Sequence, residues 1–249
     1  MGLYQVHIVG QGQPLLFFPA AGFTGIEGLN LAEELSDQFE CHLIDLPGFG
    51  KNEGIPGKVT AEKIANWVKN YIEEQNWEKV TLLGHSMGGG IALCFAYVYP
   101  NYVQNLILLD QGHLRIPRFP KEDFGPLGYL MPILSLLEKI LGDKLANKMS
   151  TLFSSDGTSS EEKLQQRLNF FYEKFPVKKS AYITKAFQEE VTYSPKGIRF
   201  MFGYYRLHLP KLLNHLIVPS LLLYASYKGF DEKRAKITQK GVNKIMNPN

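Results

Sequence analysis

The sequence is poor in cysteine and tryptophan, with two of each in 249 residues, and has no hydrophobic run near the roughly 18 apolar residues of a membrane span. So few cysteines exclude a disulfide-stapled scaffold. Cys41 falls in an expected strand and Cys94 in an expected helix; both read as buried free thiols, which fits a reducing compartment. The N-terminal MGLYQVHIVGQG lacks the positive segment and apolar core of a secretory leader, so a cytoplasmic protein is expected. Charge of one sign is scarce too: a net +3 gives no general pull toward nucleic acid or acidic membranes. Metal-ligand clusters, a dinucleotide fingerprint and a phosphate loop are all missing from the pattern, so no cofactor and no metal is expected. Histidine occurs six times and not once after His215.

What is present is core. A hydrophobic content of 45% suffices for one sizeable α/β domain with an insertion. The sharpest local signal is Gly84-His85-Ser86-Met87-Gly88-Gly89. Val80 to Leu83 before it is apolar or β-branched and too short for a helix; Ile91 to Tyr97 after it is helical and is ended by Pro100. Strand, sharp turn and helix lift a serine clear of a sheet, and glycines two residues either side remove Cβ atoms that would clash in the bend.

Around this turn, strands and helices alternate. Tyr4 to Val9 and Leu15 to Phe18 read as adjacent strands, followed by the small-residue turn PAAGFTG and a short helix through Leu29, Leu31, Ala32 and Leu35. Cys41 to Ile44 reads as a strand ending in the tight loop DLPGFG. Thr60 is the expected N-cap of a helix whose Ile64, Trp67, Val68, Tyr71 and Ile72 share one face. Val103 to Leu109 closes this part as a strand ending in Asp110. Such alternation implies a mostly parallel sheet covered on both faces. From about His113 to Leu207 the pattern turns to helices alone: a stripe Leu134, Leu137, Leu141, Leu145, Met149 and Leu152, a capping box Ser159/Glu162, then helices around 181–191 and 197–205. Strand character returns at Ile217 to Ala225. The stretch from Ser226 on is basic, with six cations against Asp231 and Glu232, and reads as a solvated helix face. The expected division is a core of residues 1–112 and 208–249 with an inserted helical unit of residues 113–207.

In order, PAAGFTG, DLPGFG and GHSMGG resemble the corresponding turns of the α/β-hydrolase superfamily, in particular its lid-bearing esterase and thioesterase members. The resemblance covers about residues 4–112 and 208–225. It implies a helical lid inserted after the sixth strand and a serine hydrolase that cleaves a small carboxylic ester or thioester. Ser86 would be the nucleophile. The N–H of Met87, next in the chain, would be one oxyanion donor and Ala21 the second, or Phe23 if Ala21-Gly22 takes the place of the family's His-Gly pair. The family's triad continues with an acid after the sixth or seventh strand and a histidine after the eighth. Asp231 is placed slightly ahead of Asp110 as that acid. The triad histidine is unknown. Either the sequence stops before the strand and loop that bear it, with Val242 to Met246 beginning that strand, or the chemistry is lost or rewired and the protein binds a small apolar ligand. Of the histidines present, His113 beside Asp110 is the least implausible base. His85 reads as packing or polar lining, His208 and His215 as caps flanking the seventh strand, His7 and His42 as structural, and Asp45 as a loop-capping carboxylate. Phe119, Phe124, Tyr129, Met131, Phe170, Phe171, Tyr172, Phe200, Met201, Phe202, Tyr204 and Tyr205 of the lid suggest an apolar acyl substrate, although most must pack the lid itself.

Overall fold

The computed structural model describes residues 4–120, 125–153, 161–175, 177–189 and 191–245. Among these residues six strands form one sheet: β1 (Val6–Gly10), β2 (Gln13–Phe18), β3 (Phe39–Ile44), β4 (Val80–His85), β5 (Val103–Leu109) and β6 (Ser220–Leu223). Their order is β1-β3-β2-β4-β5-β6. Only β1 runs antiparallel to its neighbour; β3, β2, β4, β5 and β6 pair in parallel. The expected α/β architecture with a mostly parallel sheet is what forms. Residues 4–18 make two strands, as read from the sequence, joined through the positive-φ Gly10 and Gly12. Among the described residues five strands precede the long helical segment, whereas the family resemblance implied an insertion after a sixth.

Continuous apolar strands bury both faces. Leu16 and Phe18 of β2 join the larger core with α2 (Ala61–Glu74) and α3 (Met87–Val98), while Leu15 and Phe17 join a smaller one beneath α1 (Leu29–Leu35). Thr60 caps α2 by accepting from the Lys63 amide, and Ile64, Trp67, Val68, Tyr71 and Ile72 are all buried, as their spacing requires. Cys41 and Cys94 are buried free thiols. On the α1 side the sheet's far end is thinly covered: Leu221 and Leu223 of β6 are each 51% exposed.

Between β5 and β6 lie α4 (Met131–Leu141), α5 (Asp143–Phe153), α6 (Glu161–Lys174), α7 (Ala181–Gln188), α8 (Pro195–Tyr205) and α9 (Leu209–Leu213). The stripe expected to run unbroken through Leu134 and Met149 is two helices, because Gly142 sits at φ +52°, a conformation that an α-helix cannot contain. Ser159 lies outside the described residues, as does Phe124. The segment meets the loop after β3 through main chain. Gly48, at φ +82°, packs backbone against backbone on Gly197 at the head of α8, and Ser194 donates from both its amide and its hydroxyl to the Gly48 carbonyl. Within the segment, the fully buried Glu138 of α4 accepts from Arg199 Nε at 3.1 Å and from an Arg206 guanidinium nitrogen at 2.7 Å, and Arg206 also donates to the Val59 carbonyl at 3.5 Å.

The last helix, α10 (Glu232–Val242), shows mostly solvated residues around the buried Ala235 and Thr238, as its composition suggested. The strand expected to begin at Val242 does not. Val242 closes α10 and Asn243 is its C-cap, and residues 246–249 lie outside the described part.

Candidate active site

Ser86 stands where β4 gives way to α3, at φ +49° and ψ −116°. A non-glycine residue in that region is strained by about 1–3 kcal/mol and persists only where its surroundings hold it. They do so by close packing. A Cβ at Gly84 would lie 2.5 Å from the Gly88 carbonyl oxygen, and one at Gly88 would fall under 3 Å from the Phe18 and Pro19 backbone. The Ser86 amide donates to the Leu109 carbonyl and the Gly88 amide to the Pro19 carbonyl, each at 3.0 Å. These bonds anchor the bend to β5 on one side and to the PAAGFTG turn on the other.

The amides at this corner divide clearly. As the first residue of α3, Met87 has no carbonyl four residues back within the helix for its N–H, whereas the Gly88 amide is engaged by Pro19. In the facing turn, the Phe23 amide donates to the Ala20 carbonyl at 3.3 Å, and the Ala20 amide donates to Glu27 Oε2 at 2.6 Å. Ala21 lies between these engaged amides, exposed at the turn.

Glu27 is the residue that sequence reasoning missed. Its second oxygen meets His85 Nδ1 at 2.9 Å, so one carboxylate spans the PAAGFTG turn and the residue before the serine. The two are 58 positions apart in the chain, and no local pattern announces the pair. Burial alone would pull the His85 pKa down; the hydrogen bond and charge of Glu27, with Asp110 behind it, leave it raised. Both acids and His85 line an open cleft of about 430 Å3 with Tyr224, Phe17, Leu31, Leu109 and Leu223. Ser86 is beside this cleft rather than in its wall.

Asp110 follows directly on Leu109, whose carbonyl holds the Ser86 amide. It sits at φ +53°, accepts from the Ala225 amide at 3.1 Å and the Tyr227 hydroxyl at 2.9 Å, and so links the ends of β5 and β6. Asp231 is elsewhere in its hydrogen bonding: it is the exposed N-cap of α10, accepting from the Arg234 amide at 2.9 Å. Among the described residues no histidine is hydrogen-bonded to Ser86. His113 is buried against the Tyr224 ring, and neither of its nitrogens has an aligned partner. Burial holds its pKa down, although Asp110 and the nearby Gln111 backbone act in the opposite direction. His42 is buried between Tyr71 and Glu40 in the core, His208 caps α9, His215 bonds the Lys211 carbonyl, and His7 is exposed on β1. Asp45 is buried and accepts from the Gly25 amide at 2.8 Å, a loop cap as expected. Burial raises its pKa. Of the aromatics in the helical segment, Phe200, Phe202 and Tyr204 are core, whereas Phe119, Tyr129 and Phe170 are exposed. Among the described residues no group of three His, Cys, Asp or Glu side chains is arranged to hold a metal ion.

With this geometry in place, comparison with known proteins settles the family. The sequence pattern of the alpha/beta hydrolase fold matches residues 14–237. The chain belongs to the alpha/beta hydrolase fold family. Among curated relatives, a pimeloyl-[acyl-carrier protein] methyl ester esterase of Salmonella newport is 36% identical over 77 residues, 31% of this chain and 28% of that protein. A soluble epoxide hydrolase of Corynebacterium is 30% identical over 109 residues, 43% and 38% of the two chains. The matched part thus spans well under half the length of these relatives. Solved structures of the same fold include a thermophilic esterase of Thermogutta terrifontis (TM-score 0.60, 22% identity, 96% of this chain and 80% of that one). An enol-lactonase of Burkholderia xenovorans is a second, with TM-score 0.62, 14% identity and coverage of 96% and 84%.

Proposed function

We propose that this protein is a cofactor-independent serine hydrolase acting on a small, apolar carboxylic ester or thioester. The observation that carries the reading is the strained Ser86, held at φ +49° by glycines that admit no side chain. Ser86 Oγ attacks the carbonyl carbon, and the electron pair moves to an oxyanion that the Met87 and Ala21 amides receive. The C–O or C–S bond then breaks, the leaving alcohol or thiol takes a proton, and water releases the acid from the acyl-serine. Ala21 is favoured over Phe23 because the Phe23 amide is already engaged. Asp110 is favoured over Asp231 as the acid, since it adjoins the residue that holds the Ser86 amide while Asp231 caps a helix. The helices between β5 and β6 are read as the lid. The esterase names among relatives support ester chemistry.

The proton leaving Ser86 needs a base, and no described histidine bonds it. Losing the histidine of such a triad costs on the order of a millionfold, with roughly 10³–10⁴ over water remaining. Added imidazole should therefore accelerate p-nitrophenyl ester cleavage by wild type and not by Ser86→Ala, and a fluorophosphonate should label wild type alone. Equal labelling of both proteins would refute the nucleophile. The unpartnered serine favours a second reading, a ligand-binding protein without turnover. Saturable binding of a small apolar ester, unchanged in Ser86→Ala and with no imidazole rescue, would establish it.

A further inference from the structure

Helix α4 buries a largely polar face and leaves its apolar face uncovered among the described residues. Met131, Ser135 and Glu138 turn inward and are buried. On the opposite side Ile133, Leu136, Leu137, Ile140 and Leu141 fall within roughly 140° of the circumference at 3.6 residues per turn. Ile133 and Leu136 are each 59% exposed and Ile140 is 73% exposed. A contiguous apolar stripe of this kind marks an interaction surface. Its rim is basic: Lys139 flanks it, and Lys144 and Lys148 follow on α5, all exposed. The described carboxylates of residues 113–150 are Glu138, turned inward to Arg199 and Arg206, and Asp143, bonded by Arg199 at 2.7 Å.

We propose that α4 is a peripheral docking element for an anionic lipid surface, lying in the interface with its stripe in the acyl boundary and its lysines at the headgroups. Eleven residues reach about 16 Å, too short to cross a bilayer of about 30 Å but the right shape to lie in its surface. A second copy is the poorer occupant, because pairing two stripes brings two lysine rims together.

The test is co-sedimentation of the whole protein with phosphatidylcholine vesicles, with and without about one third phosphatidylglycerol. Wild type should bind the anionic vesicles, and added salt should weaken that binding. Ile133→Ser/Ile140→Ser, at two exposed positions, and Lys139→Glu/Lys144→Glu should each lower the partition on the order of tenfold with unchanged circular dichroism and melting. Binding to neither vesicle would overturn the proposal, as would equal binding by the serine variant. Sedimentation equilibrium showing a dimer that the serine variant dissolves would overturn it in favour of a second copy.

Discussion

Replacing Glu138 by alanine tests how the helical segment is held. The carboxylate is fully buried, and the two guanidiniums it serves are largely buried, with side chains of Arg199 and Arg206 exposed by 9% and 19%. Removing the anion leaves Arg206 without a carboxylate and Arg199 with only the exposed Asp143, a loss of about 3–5 kcal/mol for breaking a buried pair. At about 2–4 °C per kcal/mol for a chain of this size, the melting temperature should fall by about 6–20 °C. Thermal melts followed by far-UV circular dichroism and by fluorescence of Trp67 and Trp77 would measure it, since both tryptophans belong to the sheet domain. An earlier transition in circular dichroism than in fluorescence would place the loss in the helices. The control is Glu138→Leu with Arg199→Met and Arg206→Met, which should return stability close to wild type because desolvating three charges is itself costly. Asp143 would lose its partner there, but its carboxylate is 73% exposed and that pair contributes little. A single-variant loss below about 1 kcal/mol, the scale of a surface ion pair, would refute the reasoning.

Two further outcomes follow from the serine bend. Gly88→Ala should cost about 1–3 kcal/mol of stability by overpacking, because the new Cβ meets rigid backbone at Phe18 and Pro19; a variant melting with wild type would show the contact to be looser than described. His85, paired with Glu27, should titrate above its ordinary 6.5 by NMR. The stability from that pair is fully present below pH 6.5 and is lost as pH rises through the folded pKa. Glu27→Gln should lower the His85 midpoint, and an unmoved midpoint would disprove the coupling. His113, whose pKa is held down, acts in the other direction: its contribution is present above its unfolded pKa and is lost as pH falls through the folded one.

The serine bend was legible in sequence because its signals are local: four apolar or β-branched residues, two glycines at fixed offsets and a helical run. Thr60 and the buried face of α2 were legible for the same reason. Glu27 was not, since its partners are the Ala20 amide and a histidine 58 residues away. Spacing put Asp231 slightly ahead of Asp110 but could not show what each carboxylate accepts: a helix amide for one, the end of β6 and Tyr227 for the other. The break at Gly142 was visible as a glycine, yet an apolar stripe continuing on either side outweighed it until its positive φ was known.

The crossing of Gly48 and Gly197 has a consequence for how such a protein diversifies. The junction between the helical segment and the sheet domain is made there by main chain, with no side chain between the two glycines to be exchanged. Substitutions in the remainder of the segment can then reshape what it presents to ligands or surfaces while the pivot on which it rests keeps its position. The mounting is written in two missing side chains, so a single methyl group at either glycine is a larger change to this protein than many replacements among its exposed aromatics.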